Sequence, residues 1–189
     1  PACDTARAAH NRPRARAGDQ ALAAAPTTIR APVAAGTTIR LRAVGDLMIG
    51  SDFNVDPMAW VIMQSPDGKE MVAIDEIWER NTNTQKTLDI LWERYHAHTG
   101  GWYFFGDASS RSRKTSASTS DYLQIRNDER FVGAKVFYPR SNPPVADRVA
   151  TVNWALRASS GRRFLRIHER CTHLRNDLEY LAYKPGSRE

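Results

Sequence analysis

The sequence has few cysteines and no long apolar run. Its two cysteines, Cys3 and Cys171, lie far apart and match neither a disulfide framework nor a zinc-binding spacing. This scarcity of cysteine favours a reducing compartment. No apolar run approaches the roughly 20 residues that a transmembrane helix needs, so we expect no membrane partner. The phosphate-binding pattern G-x-x-x-x-G-K-[ST] does not occur either, which excludes a nucleotide site of the P-loop type within these residues.

Lysine is scarce, with 5 lysines against 22 arginines. The planar guanidinium suits phosphate recognition, but the same bias can arise from the base composition of a genome. Residues 1–42 carry seven arginines and two aspartates, and so contribute +5 of the net charge of +6. Residues 43–189 contribute +1, from 20 basic and 19 acidic residues. Charge alone therefore leaves nucleic-acid binding open.

Residues 1–42 form a low-complexity segment, with 13 alanines and no aromatic residue. Such a segment cannot bury enough apolar surface to order itself, so we expect a disordered segment or a linker. An organelle transit peptide is the alternative, because the segment is rich in arginine and poor in acids. We place a single folded domain at residues 43–189, and the first residue, which is not Met, favours a fragment of a longer chain.

Four apolar segments predict the strands of a sheet, at 47–53, 58–64, 70–78 and 101–109. Short connections separate the first three, including the turn residues SPDG at 65–68, which predicts an antiparallel meander. The fourth is apolar for most of its length, as central strands usually are. A helix between the third and fourth strands must cross the sheet with a right-handed connection. The predicted order is therefore β-β-β-α-β.

Helical periodicity predicts four helices, at 83–98, 121–129, 142–156 and 172–183. The predicted N-caps are Asn83 or Thr84 for the first helix, Ser120 for the second and Asn142 for the third. Further strands are predicted at 134–139 and 162–169. The pattern indicates an α/β fold in which helices flank a mixed sheet.

Two aspartates follow small residues where predicted strands end: Asp52 follows Ser51, and Asp107 follows Gly106. A carboxylate buried in a core strand is costly unless a cation compensates it. If the fourth strand lies beside the first, both carboxylates meet in the middle of the sheet. Their hard oxygen atoms suit Mg²⁺ or Mn²⁺, and two such ions can promote hydrolysis of a phosphodiester. Two divalent ions carry four positive charges, so a third or fourth acid is expected.

This strand order with two strand-end carboxylates resembles the RNase H-like nuclease fold. Several phrases also resemble the C-terminal nuclease domain of bacteriophage terminase large subunits, in the family's order: "GSDFNVDPMAWVIMQ", "GDASSRSRKTSASTSDYLQIR", "NPPVADRVATVNWALRASSGRRFLRIHERCTHLRNDLE" and "YKPG". The resemblance covers roughly residues 44–186. It implies an RNase H-like mixed β-sheet flanked by helices.

The resemblance further implies a two-metal-ion endonuclease that cuts concatemeric phage DNA for packaging, in the cytoplasm of the bacterial host. Asp52 and Asp107 match metal-binding acids of the family, with Mg²⁺ or Mn²⁺ as the implied cofactor. Double-stranded DNA, the terminase small subunit and the portal protein are the implied partners. The family's third acid lies in an "H-x-x-D-A" phrase after "YKPG". This chain reaches Glu189 before such a phrase, which predicts a nuclease domain truncated at its C-terminus.

Two other parts of the chain carry further candidate site residues. Asp56 precedes Pro57, which is typical of a turn, and is also a candidate auxiliary metal ligand. Arg111, Arg113 and Lys114 follow Asp107 in a segment rich in Ser and Thr. We expect them to bind the DNA backbone, because such contacts position a duplex without reading its sequence. The alternative is a solvated loop.

The remaining acids favour structural roles. Asp75 and Glu76 are interpreted as charges that protect an edge strand from pairing with another sheet. Asp177 and Glu179 are interpreted as surface charges of the last helix, and the alternative is that one replaces the missing third acid.

Two other functions stay open. The chain can be a catalytically incomplete prophage remnant that acts only as a DNA-binding or assembly module, or another RNase H-like nuclease of the resolvase or transposase type.

Overall fold

The computed structural model describes residues 45–109 and 119–180, and its centre is a six-stranded mixed sheet. The strands are β1 (Leu47–Asp52), β2 (Met58–Gln64), β3 (Met71–Glu79), β4 (Trp102–Gly106), β5 (Lys135–Phe137) and β6 (Leu165–Ile167). The helices are α1 (Thr84–Tyr95), α2 (Asp121–Asn127), α3 (Val145–Leu156) and α4 (Thr172–Tyr180), with one 3₁₀ turn at Glu129–Phe131. The predicted linker at residues 1–42 lies outside the described residues.

The order of strands across the sheet is β5-β4-β1-β2-β3-β6. The predicted meander is confirmed, because β1, β2 and β3 pair antiparallel in sequence order. After α1 crosses the sheet, β4 pairs parallel with β1, so these two strands occupy the centre. The strands β5 and β6 add to the two edges, each parallel to its neighbour. The predicted α/β class, with helices flanking a mixed sheet, is confirmed.

One face of the sheet packs against α1 and carries the main core. Alternate residues of the central strands point to this face, and among them Ile49, Trp60 and Phe104 are fully buried. Leu88 and Leu91 of α1 are also fully buried in this cluster. Each such leucine stabilises the fold by about 1.5–3 kcal/mol relative to an exposed one. This core holds β1 and β4 side by side.

The opposite face of the sheet is only partly covered. A second, smaller cluster forms there around Leu156 of α3 and Leu178 of α4. Phe105, which points to this face, stays 39% exposed. The incomplete cover leaves a cleft between the sheet and the two helices.

The helix N-termini follow the sequence prediction at two of the three predicted caps. Asn83 caps α1, where its side chain accepts a hydrogen bond from the Lys86 N–H at 3.0 Å. Ser120 caps α2. The prediction for Asn142 is wrong: α3 has Pro144 at its N-cap and no side-chain cap, because the side chain of Asn142 bonds elsewhere. Within the described ranges, no helix is long and apolar enough to cross a membrane.

The interpretation of Asp75 and Glu76 as edge charges is wrong. Their strand, β3, lies inside the sheet between β2 and β6. Asp75 is buried and accepts hydrogen bonds from the Tyr95 hydroxyl at 2.9 Å and from Arg94 at 3.2 Å. A buried carboxylate needs such partners. Glu76 bonds to the start of α4.

Candidate metal centre

The ends of β1 and β4 bring Asp52 and Asp107 to neighbouring positions. The two parallel strands pair in register up to Ser51 and Gly106, and the aspartates are the next residue of each chain segment. Neighbouring strands lie about 4.8 Å apart. Side chains alternate along a strand, so Asp52 points away from the face of Ile49, and Asp107 away from that of Phe104. Both aspartates line the same cleft.

Asp52 is exposed to solvent at the end of its strand. This corrects the expectation of a carboxylate buried in a core strand. Pairing between β1 and β4 ends one residue earlier, and the side chain opens into the cleft rather than into the core. Its Oδ2 accepts a hydrogen bond from Asn54 Nδ2 at 2.9 Å. The carboxylate of Asp52 is therefore in contact with water and does not carry the full cost of burial in the core.

Asp107 is half-buried and oriented by several polar groups. Its Oδ2 accepts a hydrogen bond from Ser109 Oγ at 2.6 Å and a longer one from Asn142 Nδ2 at 3.5 Å. The Tyr122 hydroxyl donates to the Asp107 carbonyl at 2.6 Å. A side chain at Gly106 would collide with that hydroxyl, which explains the glycine before the aspartate. The carboxylate is thus directed from two sides.

Asn142 is a site residue that the sequence did not identify. Its Oδ1 accepts a hydrogen bond from the Ala108 N–H at 2.8 Å, and so connects the end of β4 to the segment before α3. The signal was a polar residue before Pro143 and Pro144, which is typical of a helix cap. Its partner lies 34 positions earlier in the chain. Only the folded sheet shows that the two segments meet.

The cleft has a volume of about 560 Å³. Its floor is the sheet, and its wall is formed by α3 and α4. Small and apolar residues form the floor, among them Gly50, Ala59, Val61 and Met63. Charged or ionisable side chains lie around it: Asp52, Glu76, Asp107, Arg148, His173 and Asp177. A cleft with acids at the carboxyl ends of two parallel strands can bind a cation and a ligand beside it.

The carboxylates fit a hard cation but form an incomplete set. Carboxylate oxygens are the ligands that Mg²⁺ and Mn²⁺ prefer. Within residues 45–109 and 119–180, no group of three or more His, Cys, Asp or Glu side chains lies close enough to hold a metal ion. Asp52 and Asp107 together balance the charge of one divalent ion. A second ion needs at least one further acid.

The other predicted site residues are Asp56, Arg111, Arg113 and Lys114. Asp56 accepts a hydrogen bond from Arg80 Nε at 2.9 Å and is not among the residues that line the cleft. Arg111, Arg113 and Lys114, predicted to bind DNA, lie outside the described residues. Their role stays a prediction.

Glu76 lies in the cleft but bonds to the N-terminus of α4. Its Oε1 accepts from the His173 N–H at 2.8 Å and contacts His173 Nδ1 at 2.9 Å, and its Oε2 accepts from the Leu174 N–H at 2.8 Å. The His173 ring stacks on Trp78 at 4.3 Å. A carboxylate suits this position because it satisfies free N–H groups and the positive end of the helix dipole. Glu76 therefore fixes α4 against the sheet.

Comparison with solved structures identifies the fold. A large terminase from a thermophilic bacteriophage superposes with a TM-score of 0.57 at 14% identity, over 76% of this chain and 34% of that one. The chain shares the fold of a phage large terminase. This confirms the predicted fold class, and the chain spans about a third of that terminase.

A second similar structure is the nuclease domain of the g2p large terminase from bacteriophage SPP1, solved with bound Mn. Its identity is 16%, its TM-score 0.46, and the match covers 73% of this chain and 68% of that one. No protein-family model matches the sequence. No curated protein matches it either. The terminase fold is therefore shown by the superposition on the large terminase of the thermophilic bacteriophage, at 14% identity.

Proposed function

We propose that this chain is the metal-dependent DNA endonuclease domain of a phage terminase large subunit, and that it cuts concatemeric viral DNA during packaging in the host cytoplasm. The observation that carries the proposal is the pair Asp52 and Asp107, which line one cleft at the ends of two central parallel strands. The terminase fold and the resemblance of the sequence support it. Double-stranded DNA is the substrate, and the terminase small subunit and portal protein are the partners that the resemblance implies.

In this proposal, Asp52 and Asp107 hold Mg²⁺ or Mn²⁺ through their carboxylate oxygens. Such ions stabilise the charge that develops on a phosphodiester during hydrolysis. Ser109 and Asn142 orient the Asp107 carboxylate, while Asn54 orients that of Asp52. A two-ion form requires a further acid, and Asp177 lines the same cleft. We therefore propose that the site binds two ions.

The first experiment is plasmid nicking in Mn²⁺ by Asp52→Asn and Asp107→Asn. We expect each variant to lose roughly 100-fold or more of the activity, about what one electrostatic stabiliser of a transition state contributes. Asp147→Asn, on α3 outside the cleft, is the matched control and should nick like the wild type. Asp56→Asn tests the candidate auxiliary ligand. Full nicking by Asp52→Asn or Asp107→Asn would refute the assignment.

A second candidate is a DNA-binding or assembly module without catalysis. It is favoured by the lack, among the described residues, of a group of three metal-binding side chains. Isothermal titration calorimetry separates the candidates. Binding of Mn²⁺ at millimolar concentration or below that depends on Asp52 and Asp107 supports the nuclease. No measurable binding, together with no nicking by the wild-type chain, supports the module.

A further inference from the structure

One positively charged side chain of the cleft has no role in the candidate metal centre. Among the described residues that line the cleft, Arg148 of α3 is the only arginine or lysine. Its side chain is exposed. The Arg148 guanidinium forms no ion pair or hydrogen bond with any other residue that the structure describes. A guanidinium with all its donors available can accept an anionic ligand.

The position of Arg148 is set by the packing of α3. Val152, one helical turn further on, lines the same cleft and packs in the small cluster with Leu156 and Leu178. Residues four apart lie on one side of a helix, so the packing of Val152 keeps Arg148 on the cleft side. At its other end, α3 begins two residues after Pro143, and Asn142 bonds to the Ala108 N–H beside Asp107. A short segment of the chain therefore connects Arg148 to the hydrogen bond between Asn142 and Ala108, beside Asp107.

The negative charge of the cleft favours a role of Arg148 in binding phosphate. Four acids line the cleft, and the backbone of DNA is itself anionic. Among the described residues that line the cleft, Arg148 is the one arginine or lysine that offsets these acids toward a phosphate. An arginine binds phosphate through two parallel hydrogen bonds, which gives both attraction and orientation.

We propose that Arg148 binds a phosphate of the DNA backbone inside the cleft, next to the phosphodiester that Asp52 and Asp107 address. The inference rests on the proposed nuclease function and adds a substrate-binding residue to it. Arg148 contacts the backbone and not the bases, so it positions the strand without selecting a sequence.

The test compares Arg148→Ala and Arg148→Lys with Arg157→Ala. Arg157 is the control because it is exposed at the end of the same helix and does not line the cleft. Binding of a fluorescent duplex is measured by anisotropy in Ca²⁺, between about 50 and 200 mM salt. We expect Arg148→Ala to bind about tenfold more weakly on any sequence, with a log–log salt slope reduced by about 1. Arg157→Ala should stay within about twofold of the wild type.

Arg148→Lys should keep the salt slope and lose part of the affinity, because the charge remains and the two-fold hydrogen bonding does not. Nicking by Arg148→Ala should show a KM that rises more than kcat falls. An unchanged salt slope in Arg148→Ala would overturn the inference.

Failure of the proposed function would give a different result: DNA binding would still depend on Arg148, but nicking would not depend on Asp52 or Asp107. If the wild-type chain binds no DNA, both are overturned.

Discussion

At the scale of single residues, the chemistry of the site depends on where strands stop. Asp52 and Asp107 each lie one residue beyond the last paired position of β1 with β4. A carboxylate at such a position stays in contact with solvent, while the paired strand before it holds its backbone rigidly. The fold thus presents two negative charges side by side without a large desolvation cost. Asn142 adds a polar link that orients one of them.

Cys171 lies directly before α4, and the reactivity of its thiol tests whether this part of the fold is buried. Its thiol is fully buried. Burial, together with the nearby carboxylates of Glu76 and Asp75, raises the pKa of Cys171 from 9.0 to about 12. At about pH 8 the folded protein then holds roughly 1,000-fold less thiolate at this position than the unfolded chain. We expect a Cys3→Ser variant to react with a thiol reagent far more slowly when folded than in urea.

The sign of the linked stability follows from the same pKa. The folded thiol keeps its proton between about pH 9 and pH 12, whereas the unfolded chain releases it. Stability should therefore fall as the pH rises through this window, and a Cys171→Ala variant should lose less stability there. Folded protein that reacts as fast as unfolded protein would contradict the buried, neutral thiol.

At the scale of elements, α4 is fixed by a residue nearly a hundred positions away. Glu76 of β3 bonds to the N–H groups of His173 and Leu174. Replacing it with glutamine keeps the size of the side chain and removes the charge at the helix N-terminus. We expect Glu76→Gln to lower the free energy of unfolding by about 1–2 kcal/mol. Urea unfolding followed by circular dichroism measures this change.

Glu79→Gln is the control for that variant. Glu79 ends the same strand, and its carboxylate forms no hydrogen bond or ion pair with another described residue. Its replacement should change the unfolding free energy by no more than about 0.5 kcal/mol. Equal stabilities of the two variants would show that Glu76 does not stabilise α4.

At the scale of the whole molecule, a bound metal should stabilise the fold. In the proposed function, Mn²⁺ would reduce the repulsion between Asp52 and Asp107, and the unfolded chain does not hold these residues together. At ten times its dissociation constant, the ion should add about 1.4 kcal/mol of stability. A rise of roughly 3–6 °C in Tm is expected, and EDTA should reverse it. The measurement is thermal unfolding with and without about 10 mM Mn²⁺.

Asp52→Asn and Asp107→Asn should remove this stabilisation, whereas Asp147→Asn should keep it. A rise in Tm that persists in both cleft variants would place the ion elsewhere. This readout does not depend on catalysis.

The elements near the site differ in how well the sequence predicted them. The meander and the helix around Leu88 and Leu91 follow from periodicity, because one buried face imposes a regular spacing of apolar residues. The edge-strand interpretation of Asp75 and Glu76 is wrong because the sequence pattern of a charged residue in a strand is the same whether its side chain faces solvent or a buried partner. The partner of Glu76 on α4 is about a hundred residues away, and local sequence carries no information about it.

By itself, the sequence determined the α/β class, the order of most elements and the positions of Asp52 and Asp107 at strand ends, because periodicity and strand-end position are local properties of a chain. Only the tertiary structure decided that Asp52 is exposed, that Asn142 serves the Asp107 segment and that Arg148 shares their cleft. Those facts depend on which strands pair and which helices cover the sheet. Such contacts join residues far apart in the chain, and the burial of the whole core selects them.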